Sequence, residues 1–270
     1  MPQRFDDPAL MEALGTLASA AGGRIMAHHG CSATAKTDGS PVTAADQEAE
    51  AIILDGLAQL LPGVPVLAEE SAAAGRLPDR TDLFVAVDPL DGTREFLAGN
   101  GEFTVNIALV AGGEPVAGIV YAPARHRLWL GAAGKAEAMT LVPGAAIAAA
   151  QNRAPIRTRP VPADGPVALV SRSHPEAAAE DFLARHGVTR RQPMGSSLKY
   201  AVIAEGGADL TVRFAPITEW DIAAGHALLV AAGGRMAMPD GRPIGYGRAE
   251  VGFRTASFLA SSGALKLSAG

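Results

Sequence analysis

The chain has 270 residues, 48% of them hydrophobic and 19% charged, enough to bury a sizeable core as one large domain or as two lobes. A formal net charge of -5 and an isoelectric point near 5.7 leave no chain-wide attraction for a phosphate backbone or an anionic bilayer, which argues against polymeric nucleic acid as a partner. One cysteine, Cys31, gives neither a disulfide nor a zinc-ligand spacing and fits a reducing cytoplasm, and no apolar run reaches the roughly 18 residues of a transmembrane span.

The N-terminal segment carries acidic residues early and reads as an amphipathic helix, not as a leader peptide. Leu10, Leu14, Leu17 and Ile25 recur at helical spacing between Pro8 and His28, with Gly30 where a C-cap would sit. After the polar turn Lys36 to Pro41, a second helix is expected from Thr43 to Leu61, with Ile52, Ile53, Leu57 and Leu60 on one face and Pro62 as its stop. Val64 to Ala68, Leu83 to Val87 and Phe103 to Val110 are strand-length apolar runs, and Ile119 to Ala122 with Leu128 to Gly131 predict a hairpin around Pro123 to Arg127.

The Pro- and Ala-rich stretch Gly144 to Gly165 lacks periodicity and places a lobe boundary near Ala150, giving residues 1–150 and 151–270. Beyond it the pattern predicts strands at Val167 to Ser171, Val188 to Gln192 and Asp209 to Phe214. Helices are predicted at Pro175 to His186, Ser197 to Glu205 and Asp221 to Ala232, the last closed by Gly233 and Gly234.

In VAVDPLDGT an apolar strand runs into Asp88 and Asp91. Pro89 fixes the backbone and Gly92 frees it, so the chain turns with two hard oxygen donors beyond the strand end. Taken alone, both aspartates serve equally well as turn or N-cap residues. Glu69 and Glu70 follow a second apolar run, VPVLA, and Asp221 opens the apolar helix of WDIAAG, where an N-cap role and metal ligation are compatible. A few carboxylates suffice for Mg²⁺, which keeps several of its waters.

These residues resemble the inositol monophosphatase superfamily of lithium-sensitive, Mg²⁺-dependent phosphatases. Four motifs carry the resemblance in family order: Asp46 in SPVTAADQEAE, Glu69 and Glu70 in LAEES, DPLDGT at Asp88 to Thr93, and WDIAAG from Trp220. Within it, DGTREFLAGNGEFTVNIALV, GSSLKYAVIAEG and AAGHALLVAAGG are similar to the 3'(2'),5'-bisphosphate nucleotidases, which dephosphorylate adenosine 3',5'-bisphosphate arising from sulfate assimilation. RFAPITEWD departs from the family wording at Ala215 and Glu219.

The resemblance implies an α/β (α+β) fold, a layered α-β-α-β-α sandwich with a larger antiparallel sheet in the first lobe, a smaller mixed sheet in the second, and the metal site between them. It implies two or three Mg²⁺ ions on Glu69, Asp88, the Leu90 carbonyl, Asp91 and Asp221, with Glu70 reaching a looser third ion through water and Lys36 nearby. Thr93 with Asp46 would activate the attacking water, and the N–H groups of Gly92 and Thr93 would hold the phosphate. Gly195, Ser196, Arg213 and Glu219, with Asp221, would meet the rest of a small phosphorylated nucleotide. The resemblance allows a monomer or a homodimer, and contact with the inner membrane surface stays open. Inositol monophosphate is the alternative substrate, and a non-catalytic nucleotide or metal sensor a third reading. His126, His174 and His226 lie in no motif with metal spacing and are left out of the site.

Overall fold

Asp7 starts the first helix, α1 (Pro8–Ala27), by accepting the Ala9 N–H at 2.9 Å, with Pro8 in the first turn where its missing N–H costs nothing. The computed structural model describes residues 7–28, 34–35, 41–79, 81–255, 257–263 and 265; Lys36, Gly30 and Cys31 lie outside them. A short antiparallel pair, β1 (Thr34–Ala35) and β2 (Pro41–Val42), precedes α2 (Ala44–Leu60). A capping box starts α2: Asp46 accepts the Thr43 N–H at 2.7 Å, and Thr43 Oγ1 accepts the Ala45 N–H at 3.1 Å.

The first sheet runs β3 (Val66–Ala68), β4 (Leu83–Asp91), β5 (Thr104–Ala111), β6 (Glu114–Ala122), β7 (Arg127–Ala132), β8 (Lys135–Thr140) and β9 (Gln151–Pro155) in spatial as well as chain order. It is antiparallel except where β3 pairs with β4. Two short helices, α3 (Glu69–Ala73) and α4 (Thr93–Leu97), leave the ends of β3 and β4. The second sheet has the order β11 (Arg190–Met194), β10 (Val167–Ser171), β12 (Leu210–Arg213), β16 (Phe258–Ser261) and β14 (Arg235–Ala237), mixing parallel and antiparallel pairs. Between its strands lie α5 (Ala177–Arg185), α6 (Leu198–Ala204), β13 (Ile217–Thr218), α7 (Glu219–Ala231) and β15 (Arg254–Thr255), and β13 pairs with β15.

Alternation along the strands explains the layers. On β5, Val105, Ile107 and Leu109 face α1 and α2, packing with Leu14, Ile25, Ile53 and Leu57. Ala108 and Val110 point the other way, into a core shared with α6, α7 and the inner face of the second sheet at Val167, Leu169, Phe258 and Ala260. Ala168 and Leu210, on that sheet's outer face, pack with Leu183 of α5. The sequence of layers is helix, sheet, helix, sheet, helix, the α/β sandwich implied by the motifs. Gly118 on β6 lets α7 lie this close, since a Cβ there would sit 2.3 Å from the Ala224 carbonyl oxygen. No helix among the described residues is long and apolar enough to cross a membrane.

Several elements differ from the sequence expectation. The expected strand end at Val87 is passed: β4 continues to Asp91, opposite Thr104, through an irregularity between Asp88 and Asp91 that accommodates the missing N–H of Pro89. The strands β8 and β9 follow where none was predicted, and β9, beyond the expected break near Ala150, still pairs with β8. Helix α7 starts at Glu219 and not at Asp221, because Thr218 is its N-cap and Asp221 the third helical residue of a second capping box.

Candidate active site

The ends of β3 and β4, the starts of α4 and α7, and the turn before α6 surround a cavity of about 580 Å³. Asp88, Asp91 and Asp221 each offer it a carboxylate oxygen, and these atoms lie within 4.8 Å of one another. Glu69 and Leu90 line the same cavity, whereas Glu70, the next residue on α3, is absent from the lining.

Separate contacts aim each acid. Asp88 Oδ1 accepts the Leu90 N–H at 3.0 Å across the irregular end of β4. Asp91 Oδ2 accepts the Ser197 N–H at 2.6 Å and the Asn106 Nδ2–H at 3.3 Å, while Ser197 Oγ donates to the Asp221 carbonyl at 2.7 Å. Asp221 Oδ2 accepts from Thr218 Oγ1 at 2.6 Å and from the Thr218 N–H at 3.2 Å.

Carboxylates this close, Asp88 buried and Asp91 and Asp221 partly so, resist ionisation. Burial, then the charges of Glu69 and Asp91, push Asp88 well above the ordinary carboxylate range. Burial and the charge of Asp91 push Asp221 up to about 6. Asp91 is also raised by burial, against the opposing effects of Lys199, Ser197 and Asn106. An all-oxygen set of mutually repelling, desolvated acids fits a hard divalent cation, which would relieve the repulsion that protons otherwise relieve.

Beside the cluster, Gly92 adopts a left-handed backbone (φ 92°) and starts α4, so the chain turns abruptly after Asp91. Thr93 Oγ1 donates to Asp46 Oδ1 at 3.2 Å and lies 3.4 Å from the Leu90 carbonyl oxygen. Asp46 is 1% exposed, and its other oxygen is held by the Thr43 N–H and hydroxyl at 2.7 Å each. The capping box of α2 thus fixes the carboxylate that meets Thr93.

The remaining expected residues divide. Ser196 and Arg213 line the cavity, Arg213 with its guanidinium 3.7 Å from Glu176. Gly195 lies behind the wall: its N–H donates to Glu102 Oε2 at 2.8 Å, and a Cβ there would meet Glu95 Cγ at 2.6 Å. Glu219 has a different task, since its buried carboxylate accepts the N–H groups of Gly247 at 2.7 Å and Arg248 at 3.0 Å, and it is not part of the lining.

Among the lining groups that the sequence reading did not place in the site are Lys199 and His174. Lys199 lines the cavity and donates to the Ser196 carbonyl at 2.8 Å; burial lowers its pKa and the charge of Asp91 opposes that shift. His174, set aside on sequence, also lines the cavity, where partial burial and the charges of Arg94 and Arg213 lower its pKa. His226 is packed with Tyr246, 2.9 Å from its hydroxyl, and burial holds it down to about 4.

Residues 7–266 match the inositol monophosphatase family. A relative in Escherichia coli (strain K12), the 3'(2'),5'-bisphosphate nucleotidase CysQ, is 43% identical over 211 residues, covering 78% of this chain and 81% of that protein. The crystal structure of CysQ from Bacteroides thetaiotaomicron superposes with a TM-score of 0.76 at 31% identity, covering 97% of this chain and 99% of the other. The inositol monophosphatase of Anabaena gives 0.74 at 26% identity over 95% and 91%. With the match spanning nearly the whole chain and the acidic cluster at the junction of its two sheets, this protein belongs to the inositol monophosphatase family.

Proposed function

We propose that the chain is a magnesium-dependent 3'(2'),5'-bisphosphate nucleotidase that hydrolyses adenosine 3',5'-bisphosphate to AMP and phosphate. One observation carries this reading: a single cavity is lined both by the clustered acids with Thr93 and by the cations Arg213, Lys199 and Arg94. A monophosphate on a neutral ring needs only the first group, whereas a second phosphate needs cations of the chain's own. The likeness to CysQ proteins supports the same choice.

Asp88, Asp91 and Asp221, with Glu69 and the Leu90 carbonyl, would hold two Mg²⁺ ions, and Glu70 would reach a looser third through water, with Lys36 near those waters. Magnesium supplies the positive charge that polarises the phosphoryl oxygens and acidifies the attacking water. Thr93 Oγ1 donates a hydrogen bond to Asp46, which leaves a lone pair to accept a proton from the attacking water while the hydroxyl proton passes to the Asp46 carboxylate. The N–H groups of Gly92 and Thr93, at the start of α4, receive the phosphoryl oxygens. Ser196 and Arg213 position the nucleotide. The two-lobe division and a cytoplasmic setting belong to the same proposal, with β9 assigned to the first lobe.

Phosphate release from adenosine 3',5'-bisphosphate and from inositol 1-phosphate, measured side by side with Mg²⁺ and with added Li⁺, tests it. Preference for the bisphosphate with inhibition by Li⁺ is expected. Preference for the inositol ester would overturn the substrate while leaving the metal cluster in place.

A further inference from the structure

We infer that Glu50 is a positioning residue that sets Glu69 for metal binding by capping α3 from outside that helix; the inference rests on Glu69 being a metal ligand, as proposed above. The first N–H groups of any helix lack intrahelical partners, and a side chain at the N-cap ordinarily takes those of the second and third residues. At α3 the N-cap is Ala68, which has no side-chain oxygen. Glu50, 3% exposed and on a different helix, takes its place. Its Oε2 accepts the Glu70 N–H at 2.7 Å, and its Oε1 accepts the Ser71 N–H at 2.8 Å and the Ser71 hydroxyl at 2.7 Å.

Chemistry and placement both separate this contact from ordinary packing. The neighbouring inward positions of α2, Ala49, Ile53 and Leu57, are apolar and pack into the core, whereas a buried carboxylate costs stability unless donors surround it. All three donors of Glu50 come from the two residues that follow Glu69. Glu50 also lies four residues after Asp46 on α2, so the two acids project from one face of one helix. Helix α2 thereby fixes the carboxylate that meets Thr93 and, one turn later, the backbone that presents Glu69 to Asp88. A rigid link of this kind orients a ligand without touching the ion, and such outer contacts typically change metal affinity by about 10- to 100-fold.

The experiment is a calorimetric titration of Mg²⁺ into the substrate-free full chain, comparing the parental protein with Glu50→Gln and Glu50→Asp. Glutamine keeps the shape, but its NH₂ group must face the donors of either Glu70 or Ser71. Aspartate keeps both oxygens and withdraws them by one methylene. Each variant is expected to bind Mg²⁺ about tenfold more weakly, and the Mg²⁺ concentration for half-maximal turnover should rise by the same factor. Parental affinity in a folded variant overturns the inference. Failure of both variants to fold, seen by circular dichroism, assigns Glu50 to the fold alone and overturns it equally. Absence of Mg²⁺ binding in the parental protein is a distinct result: it removes the metal assignment itself, and the inference with it.

Discussion

Lowering the pH should weaken Mg²⁺ binding over a range in which ordinary aspartates stay ionised. Asp221 rises from 3.8 to about 6 through burial and the charge of Asp91. A raised carboxylate stabilises the metal-free fold most below its unfolded value of 3.8, and that contribution is lost as the pH rises through about 6. The whole shift corresponds to roughly 3 kcal/mol. A cation reverses the sign, because it needs the ionised form. Around a pKa of about 6, the ratio of protonated to ionised Asp221 goes from about 1:10 at pH 7 to about 10:1 at pH 5. Affinity of the substrate-free protein for Mg²⁺ should therefore fall about tenfold over that interval. Asp88 shifts in the same direction and adds to the loss. Calorimetric titrations at pH 5, 6 and 7, each in two buffers of different ionisation enthalpy, give both the affinity and the number of protons released. An affinity flat from pH 5 to 7, with no proton released, would refute the picture of a cluster in which cations and protons compete.

Thr93→Ala and Asp91→Asn should each lower kcat by about 10²- to 10⁴-fold while circular dichroism and the melting transition stay those of a folded protein, since neither side chain belongs to a hydrophobic cluster. Arg213→Met should raise KM for adenosine 3',5'-bisphosphate by about 10- to 100-fold, the worth of a charge-assisted hydrogen bond, with a smaller change for a substrate carrying one phosphate; equal effects on both would remove Arg213 from the second phosphate. Gly118→Ala should destabilise the fold by about 1–3 kcal/mol, read as a lower denaturation midpoint, because its methyl group would run into the backbone of α7.

Local signals survived the step from sequence to structure, and long-range ones did not. Asp88, Asp91, Gly92 and Thr93 are contiguous, so their turn was legible, and Thr43 with Asp46 announced a helix start three residues apart. Asp221 was found but misplaced by two residues, because the apolar run hid the cap at Thr218. Strand β9 gave no pattern: as an edge strand exposed along its whole length, it has no buried face to enforce alternation. Lys199 and Glu50 carry no signal of their own in the sequence pattern. Their neighbours Asp91 and Ser71 are 108 and 21 positions away, and only the fold reveals them. For Glu219 the reverse holds, since a family position suggested the cavity and the backbone of residues 247 and 248 claims the carboxylate. The layered fold followed from the motifs more than from periodicity, which marks individual elements without saying which faces meet.

Helix α7 is apolar on nearly every side because it lies against both sheets. An element of that kind has no stable place on half a protein, and its polar end is the one that delivers Asp221. Asp88 and Asp91 belong to one strand of the first sheet, so a fragment ending after β9 would retain them and still lack the third acid. The acidic cluster is thus assembled from two parts of the chain, and a cation held there would fasten one to the other. Titration with magnesium becomes a gauge of closure as well as of catalysis, and two separately produced fragments should acquire the site only on recombining.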